Sequence, residues 1–455
     1  MLEEYRFHNL FKESIDRYKK EDPQLSALAE IPLVYPLHGL EKIDWQSAGI
    51  YILTGGRQIG KSTSTKRLIL ETLQSKKFLP SAIFYLPADQ IIDHLHLTRV
   101  IRFFLESLPH DRSPFLLVLD EITFVKEWDR SIKALADEGW FRRGFCILTG
   151  SDSVILKEAA VRFPGRRGRA DQVDFHICPL SFRQYVQLVD PNLLKNSSSN
   201  IEDLFLAFSN YLQCGGYLRA INDLHSKGQI NVSTYATFEQ WIRGDFIKRG
   251  KNEANLLSVL QALIEIGVSQ TSYSNLHRHS HLSKESFIDY CALLQRMDIL
   301  FYLEAFDQNK KRGFPKKAKK FHFADPFIRN TLEQWLIRER LLKEPSPESV
   351  RVEACAAGQF HSDFPLYYLK GEGEIDLIVV LGKNFLPLEI KWSNQLRPKD
   401  LAQLKKYPHS ILLTKQTEQG QIENLRIYPL PLFLVLYDSS DKLISLFSKN
   451  IPFIS

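Results

Sequence analysis

The sequence predicts an α/β fold in which a parallel sheet covered by helices is followed by a largely helical region and then by a second α/β region. Two observations predict the first part. Short apolar runs alternate with helical segments, as expected for buried parallel strands. A glycine-rich turn also follows the first of these runs and precedes a helix. The runs are residues 50–53, 82–86, 115–119, 145–149 and 173–177.

The glycine-rich turn is a complete GxxxxGK[S/T] phosphate-binding motif that runs from Gly55 to Ser62. Its glycines let backbone N–H groups close around phosphates, the Lys61 ammonium reaches the β- and γ-phosphates, and the Ser62 hydroxyl ligates Mg²⁺. A chance glycine turn is the alternative, but strand, loop and helix stand in the required order. The predicted ATP-binding residues are Gly55, Gly56, Arg57, Gln58, Ile59, Gly60, Lys61, Ser62 and Thr63.

Acidic and hydroxyl side chains follow two of the later strands. Asp120 ends the run at 115–119, where it is expected to share Mg²⁺ with Ser62, and Glu121 is expected to polarise the attacking water. Thr149 and Ser151 end the run at 145–149. Either one is a candidate sensor of the γ-phosphate, and both are equally suited to capping the next helix.

A basic, glycine-rich turn follows at residues 162–169. Arg166 or Arg169 is a candidate for stabilising transition-state charge as an arginine finger, within the chain or across subunits. A solvated loop, or a contact with a nucleic-acid phosphate, suits either arginine equally well.

Composition indicates a globular chain of two to four domains, with 455 residues, 44% hydrophobic content and a net charge of +6. This mild charge does not by itself indicate a polyanionic partner. The five cysteines form no CxxC pair, and the N-terminus has no basic and then apolar leader. No run approaches the roughly 18 apolar residues that span a bilayer. We therefore expect a cytoplasmic protein without a membrane partner.

Residues 256–323 predict a DNA-contacting module. Helical segments at 256–266, 272–277 and 283–297 precede short strands at 299–303 and 321–323, which is the order of a winged helix. The hairpin between the strands is strongly basic, which favours a phosphate backbone without base-specific readout. A solvated loop, or packing against the first domain, is the alternative. The predicted nucleic-acid contacts are Lys310, Lys311, Arg312, Lys316, Lys317, Lys319 and Lys320.

Two alternating strands near the C-terminus flank a turn at Gly382. A hairpin centred there places Asp376 opposite Glu389 and Glu374 opposite Lys391, with the apolar residues 375, 377, 379, 386, 388 and 390 on the other face. Opposed carboxylates destabilise a bare sheet by up to about 1 kcal/mol. A hard divalent ion between them would relieve the repulsion. A surface ladder, in which Lys391 pairs with the acids, is the alternative.

The chain resembles the bacterial and archaeal AAA-type ATPases of the ORC/STAND-like branch that carry a DUF4143-type C-terminal region. The resemblance rests on residues 52–62, 119–121, 148–151, 165–169 and 178–182. Residues 214–219 are similar to the family's Gly-Gly-x-Pro-Arg segment at the start of the lid, which implies a nucleotide-sensing role for Arg219. Leu218 replaces the usual proline, and this departure puts that role in doubt.

The C-terminal acids are similar to the PD-(D/E)xK nuclease fold through Asp376, Glu389 and Lys391. This resemblance implies a Mg²⁺ ion held by Asp376 and Glu389 beside a substrate phosphate, with Lys391 orienting water or neutralising charge. Glu353 is then the helical acid and Gln403 a further helper.

Together these features predict a P-loop NTPase core at 1–190, a helical lid at 191–250, a winged-helix domain at 251–340 and a restriction-endonuclease-like α/β domain at 341–455. The leading function is an ATP-hydrolysing, DNA-associated enzyme that uses Lys61 and Glu121 on ATP and cuts nucleic acid with Glu353, Asp376, Glu389 and Lys391. The alternative is a regulatory ATPase switch whose C-terminal domain binds nucleic acid or protein without cleaving it. The expected cofactors are ATP and Mg²⁺, and a protein partner or an oligomer is left open.

Overall fold

The computed structural model describes residues 2–36, 39–108, 114–150, 156, 163, 165–393 and 401–447. The chain divides into two units, Met1–Cys178 and Pro179–Ser455, which are described separately. Ser151, one of the two sensor candidates, lies outside the described residues. In the described part of the chain, no helix combines the length and the hydrophobicity needed to cross a membrane.

Five parallel strands form the sheet of the first unit, in the order β2–β3–β4–β1–β5. Every residue of the first four strands is buried, as expected for a parallel sheet with both faces covered. The predicted α/β fold with a parallel sheet is therefore confirmed. The strands are β1 (Gly49–Gly55), β2 (Ile83–Pro87), β3 (Phe115–Asp120), β4 (Gly144–Thr149) and β5 (Asp174–Ile177).

Helices and short 3₁₀ segments pack around this sheet. Phe84 on β2 stacks on Phe104 with 5.1 Å between ring centroids, and Phe115 meets Phe104 edge-on at 6.1 Å. Such aromatic pairs contribute roughly 0.5–1.5 kcal/mol beyond their burial. The α-helices are Ile15–Glu21, Pro23–Ala29, Lys61–Gln74, His94–Glu106 and Trp128–Asp137, and the 3₁₀ segments are Leu2–Lys12, Leu40–Lys42, Pro80–Ala82, Ala88–Gln90, Ile122–Phe124 and Trp140–Arg142.

The second unit is built on a mixed sheet of eight strands, in the order β12–β13–β11–β10–β9–β8–β6–β7. Antiparallel hairpins β6–β7 and β9–β10 are joined through β8, which runs parallel to β6 and antiparallel to β9. The strands are β6 (Leu300–Asp307), β7 (Arg312–Phe323), β8 (Leu366–Lys370), β9 (Glu374–Leu381), β10 (Asn384–Lys391), β11 (Ile411–Thr414), β12 (Gly420–Ile422) and β13 (Leu425–Pro429).

Helices surround this second sheet. The α-helices are Phe182–Val189, Pro191–Lys195, Ile201–Cys214, Leu218–Lys227, Val232–Lys248, Glu253–Ile266, Tyr273–His279, Lys284–Arg296, Pro326–Arg338, Glu348–His361, Leu430–Leu436 and Ser440–Ser445, with a 3₁₀ turn at Leu404–Lys406.

The three helices and the hairpin predicted between residues 256 and 323 all form. Their description as a winged helix stays a prediction. The predicted domain boundary at 340/341 separates β7 from β8 along the chain, yet strands from both sides of it belong to one sheet. The division into four domains therefore also stays a prediction. The second sheet contains strands from two of the predicted domains.

The predicted register of the C-terminal hairpin is confirmed. Leu377 pairs with Leu388, Val379 with Leu386, and Leu381 with Asn384. The charged face is not a solvent face, however, because Asp376 and Glu389 are buried together with the apolar residues. Consecutive residues are buried along most of β9 and β10, so both faces of this hairpin are covered.

A buried carboxylate, Asp325, ties the helix Pro326–Arg338 to a Gly-Gly turn. It accepts hydrogen bonds from the backbone of Phe327 at 2.7 Å, as an N-cap, and from Gly216 at 2.8 Å. A Cβ atom on Gly216 would stand 2.2 Å from the Leu180 carbonyl oxygen, so this approach requires glycine. Burial raises the pKa of Asp325 to about 7, although the backbone donors oppose the shift.

We expect the Asp325 carboxyl group to make the second unit less stable as the pH rises. Because its pKa is higher in the folded chain than in the unfolded chain, its stabilising contribution is complete below about pH 4 and is lost as the pH rises through about 7. The slope approaches about 1.4 kcal/mol per pH unit between these values. Asp325→Asn keeps an acceptor without titrating, so urea unfolding from pH 5 to 8 should show a flatter profile for the variant. Parallel profiles would contradict this assignment.

Candidate functional site

The phosphate loop begins where β1 ends, and its backbone requires glycine. Gly55 has φ +147°, and a Cβ atom there would stand 2.5 Å from the Ile177 carbonyl oxygen on the neighbouring strand. Gly60 has φ +93° at the N-cap of the helix Lys61–Gln74. Gln58 also has a positive φ, of 61°. These turns place the loop over the helix N-terminus, where free N–H groups and the helix dipole favour a phosphate.

Lys61 closes this loop from inside. Its side chain is buried, and its Nζ donates to the carbonyl oxygens of Gly55 and Gly56, each at 2.9 Å. Ser62 and Thr63 follow in the first turn of the helix and are partly exposed. Arg57 lies with Gln58 in the turn of the loop. The predicted phosphate-binding residues therefore form one continuous feature, with the ammonium already held at the loop.

Asp120 ends β3 beside this loop, and two hydroxyl groups hold its carboxylate. Tyr85 donates to Oδ2 from the middle of β2, and Thr149 donates to Oδ1 from the end of β4. All three groups are buried, so these charge-assisted bonds fix the carboxylate in a low-dielectric setting. A carboxylate offers about four lone-pair sites, so Asp120 keeps the capacity to bind a cation.

Glu121 follows Asp120 in a left-handed conformation, with φ 53° and ψ 41°. Its backbone N–H donates to the Thr149 hydroxyl at 3.0 Å. Strained backbone of this kind is concentrated at functional sites. Thr149 thus bridges Asp120 and Glu121. Its proposed contact with the γ-phosphate stays a prediction.

The sequence analysis did not identify Tyr85, although a hydroxyl-bearing residue within an otherwise apolar buried strand was a usable signal. The Asn9 side chain makes two hydrogen bonds with the Tyr85 backbone. Its Oδ1 accepts from the Tyr85 N–H and its Nδ2 donates to the Tyr85 carbonyl oxygen, both at 2.8 Å. The Lys66 ammonium lies 5.3 Å from the Tyr85 ring centroid and pairs with Asp22 at 2.6 Å in a buried ion pair. The N-terminal segment therefore supports the acidic end of the site through the ring that bonds to Asp120.

The second unit holds a cluster of four carboxyl groups and two ammonium groups, which we call the acid–lysine cluster. Asp376 Oδ2 accepts from the Ile390 N–H at 3.0 Å, and Glu389 Oε2 accepts from the Asp376 N–H at 3.2 Å. Lys391 donates to the other oxygen of Glu389. The members of the cluster are Glu353, Glu374, Asp376, Glu389, Lys320 and Lys391.

Lys320 stands among three of these acids. Its Nζ lies 2.8 Å from Glu353 Oε1, 2.5 Å from Glu374 Oε1 and 3.2 Å from Asp376 Oδ1, and its side chain is 2% exposed. Burial lowers the pKa of Lys320, but the carboxylates outweigh it and raise that pKa above its usual value. The prediction that Lys320 contacts nucleic acid is therefore wrong, because the ammonium is enclosed by acids and cannot reach a phosphate.

Burial, together with Asp376, raises the pKa of Glu353 to about 8, and the same causes raise the pKa of Glu389 to about 8. Lys320 and Lys391 oppose these shifts without cancelling them. Glu353 and Glu389 therefore hold a proton near pH 7, so the cluster carries less negative charge than its four carboxyl groups would suggest.

The donor set suits a hard divalent ion chemically, but its arrangement does not. Asp376 Oδ1 faces the Lys320 ammonium group and Glu389 Oε1 faces the Lys391 ammonium group, so cations already stand where a metal ion would bind. Among the described residues, no three or more His, Cys, Asp or Glu side chains are placed to hold a metal ion. The predicted residues thus converge, but around a lysine. Gln403, the predicted helper, packs against Gly371 and Gly373 in the turn before β9.

Comparison with known families divides the chain into three matched segments. Residues 47–186 match the AAA domain, 206–338 match a domain of unknown function named DUF8612, and 348–433 match another, DUF4143. The first unit contains an AAA domain. The predicted resemblance to AAA-type ATPases with a DUF4143 region is thereby confirmed.

Relatives and solved structures are similar to this chain at low identity. An uncharacterised protein of Methanocaldococcus jannaschii is 22% identical over 72% of this chain and 67% of its own length, and a second from the same organism is 25% identical over 43% and 44%. About a third to more than a half of these relatives thus lies outside the match. The Walker-type ATPase of Pyrococcus abyssi is 14% identical, with TM-score 0.43 over 66% of this chain and 98% of that one. The Aeropyrum pernix ORC1 protein in complex with DNA is 15% identical, with TM-score 0.33 over 70% and 94%.

The basic turn of the AAA domain lies far from its phosphate loop. Gly168 bridges to Gly49, the first residue of β1, whereas the loop follows Gly55, about 20 Å away at roughly 3.3 Å per residue. Arg166 pairs with Asp137, and Arg169 is exposed on this turn. A contact between Arg169 and nucleotide in the same chain is therefore not formed in this arrangement, and a role across subunits stays a prediction.

Arg219 lies in the second unit, exposed in the first turn of the helix Leu218–Lys227. The Gly-Gly pair before it serves a structural purpose, since Gly216 donates to Asp325. The nucleotide-sensing role of Arg219 stays a prediction.

We expect Tyr85→Phe to weaken the response of the AAA domain to Mg²⁺ without weakening nucleotide binding in its absence. The variant removes one hydrogen bond to a charged group, which is worth roughly 1.5–3 kcal/mol. The Mg²⁺ concentration that gives half-maximal ATP turnover should rise about tenfold. Tyr51→Phe is the matched control, because that buried hydroxyl bonds to the Asp44 carbonyl oxygen at 3.0 Å instead. An unchanged Mg²⁺ dependence of the Tyr85 variant would remove Tyr85 from the site.

Proposed function

We propose that this protein is an ATP-binding and ATP-hydrolysing switch whose second unit binds nucleic acid through a basic hairpin and does not cleave it. Two observations support the proposal. The phosphate loop and the acid pair of the AAA domain are fully formed, and Lys320 stands among the C-terminal acids.

In the AAA domain, the Lys61 ammonium and the helix N-terminus bind the phosphates. The Ser62 hydroxyl and the Asp120 carboxylate are oxygen donors suited to Mg²⁺, and they are the residues that would hold it. When bound, this ion neutralises charge on the β- and γ-phosphates. Tyr85 and Thr149 orient the Asp120 carboxylate, and Glu121 accepts a proton from the attacking water.

The nucleic-acid surface is the tip of the β6–β7 hairpin. Between Glu304 and Ala305 the pairing shifts register, so β7 bulges outward over several residues. Lys319 pairs with Glu304 at 3.1 Å and is mostly buried, which excludes it, with Lys320, from this surface. The remaining predicted contacts are all exposed: Lys310, Lys311, Arg312, Lys316 and Lys317.

The turn between β9 and β10 extends this basic surface. Lys311 donates to the Lys383 carbonyl oxygen, so the exposed Lys383 lies beside the hairpin tip. Lys317 lies 5.3 Å from the ring centroid of the exposed Phe314. Clustered lysines around an exposed aromatic ring suit a phosphate backbone with occasional base stacking, and lysines carry affinity with little sequence information.

The second candidate is a metal-dependent nuclease, favoured by the convergence of Asp376, Glu389 and Lys391 in the predicted register. Incubation of the protein with plasmid and linear DNA in Mg²⁺ or Mn²⁺, with and without ATP, separates the two functions. Cutting that is lost in Asp376→Asn would establish the nuclease. The proposed switch gives no Asp376-dependent cutting.

For the AAA domain, we expect Lys61→Ala to abolish ATP binding and Glu121→Gln to bind ATP but hydrolyse it at least about 100-fold more slowly. The first variant removes the phosphate-binding ammonium, and the second keeps the shape of the site without a general base. Fluorescent ATP titration and phosphate release measure the two effects. Turnover by the Glu121 variant at the wild-type rate would exclude Glu121 from the reaction.

For the hairpin, we expect the double change Lys316→Glu and Lys317→Glu to weaken binding of duplex DNA at least about tenfold near 0.15 M salt. The slope of log affinity against log salt should fall by roughly two, because two phosphate contacts are lost. The matched control is Lys227→Glu with Lys248→Glu, an equal charge change on exposed helix positions of the same unit. Fluorescence anisotropy measures both. Equal losses in the two variants would show a general charge effect and contradict a hairpin site.

A further inference from the structure

We infer that Lys320 is the resident cation of the acid–lysine cluster: it takes the place of a divalent metal, keeps metal out, and anchors the basic hairpin to the C-terminal acids. This inference deepens the proposed non-cleaving function and rests on it.

The direction of the Lys320 side chain is fixed by its backbone. Lys320 pairs with Leu303 of β6, and the preceding residue is held on its other side by Thr271, which donates to the Lys319 carbonyl oxygen at 2.8 Å and accepts from its N–H at 2.7 Å. A strand bonded on both sides cannot rotate to release one side chain. The ammonium therefore points at the acids as part of the fold.

The buried carboxyl groups and the Lys320 ammonium group stabilise each other. A buried lysine is tolerated only when acids and hydrogen bonds replace its hydration, and Lys320 has three carboxylate partners within 3.2 Å. Without it, Glu353 and Asp376 would face each other across a buried, uncompensated space. Lys391 donates to Glu389.

A metal ion and Lys320 exclude each other at this place. A hard divalent ion binds by direct contact with carboxylate oxygens. Asp376 Oδ1 and Glu353 Oε1, the oxygens that face the centre of the cluster, are both in contact with the ammonium. Adding a dication beside a buried ammonium would place like charges together in a low dielectric.

A further contact connects the helical region before the hairpin to one of the acids. Gln270, just before the helix Tyr273–His279, donates to Glu374 Oε2. Lys320 follows the exposed Lys316 and Lys317 by only a few residues on β7. The acids that the sequence assigned to a metal therefore hold the base of the proposed nucleic-acid surface.

The test measures Mn²⁺ binding by the nucleotide-free full chain, using electron paramagnetic resonance of free Mn²⁺ and thermal unfolding. Wild-type protein and Asp376→Asn should bind Mn²⁺ equally, because the acids are occupied. Lys320→Met should gain a Mn²⁺ site that binds at least tenfold more tightly than the wild-type protein does. The double variant Lys320→Met, Asp376→Asn should lose this site. Its unfolding temperature should fall without Mn²⁺ and recover with it. Lys319→Met is the matched control, with the same loss of charge one residue away and no gain of Mn²⁺ binding.

Mn²⁺ binding to wild-type protein that is lost in Asp376→Asn would overturn the inference. So would a folded Lys320→Met chain that binds no additional Mn²⁺. If Lys320→Met does not fold even with Mn²⁺, the comparison of wild type with Asp376→Asn still decides. Failure of the proposed function looks different, because DNA binding would then be insensitive to the hairpin charges while the Mn²⁺ results were unchanged.

Discussion

The burial of negative charge at the adjoining ends of β9 and β10 is the constraint on which the second unit depends. Four carboxyl groups come together there, and two of them have pKa values raised to about 8. Buried carboxyl groups are tolerated when they take up protons or are paired with cations, and this cluster shows both. Lys320 comes from a hairpin far from these acids in sequence, so β6 and β7 belong to the same sheet as β8, β9 and β10. Electrostatic compensation and sheet continuity are thus two aspects of one arrangement.

The AAA domain meets a related requirement in a different way. Asp120 is buried at the end of a fully buried strand, but hydroxyl groups hold it rather than ammonium groups. Hydroxyls orient a carboxylate without neutralising it, which leaves its charge for a cation brought by a nucleotide. In the acid–lysine cluster, ammonium groups already occupy the equivalent role. An acid held by hydroxyl groups keeps its charge for a metal ion. An acid paired with a buried lysine has a structural role instead.

This difference bears on how a nuclease-like arrangement becomes a structural one. The register that brings Asp376 opposite Glu389 is the register that the similarity to nucleases implies. We infer that a single lysine from the edge strand β7 changes this chemistry, because an ammonium group that cannot exchange with solvent stands where a metal ion would bind and polarise a phosphate. In the proposed function, the exposed lysines on the same strand bind phosphate groups and the acid–lysine cluster does not cut them.

Features that depend on residues close together along the chain were predictable from the sequence. The order of strand, glycine loop and helix placed Gly55 to Thr63, apolar runs located the strands of the first sheet, and a centred turn fixed the pairing of β9 with β10. In the second sheet the sequence also located β6 and the end of β7, but not β8, β11, β12 or β13. Three arrangements became visible in the folded chain alone: Tyr85 holds Asp120, Arg169 lies at the far end of β1 from the phosphate loop, and Lys320 is buried among acids. These outcomes join residues that are distant along the chain, and a lysine beside other lysines carries no local signal that its side chain will be buried. Which positions share a strand follows from local periodicity, whereas which strands share a sheet follows from packing and charge compensation across the whole unit.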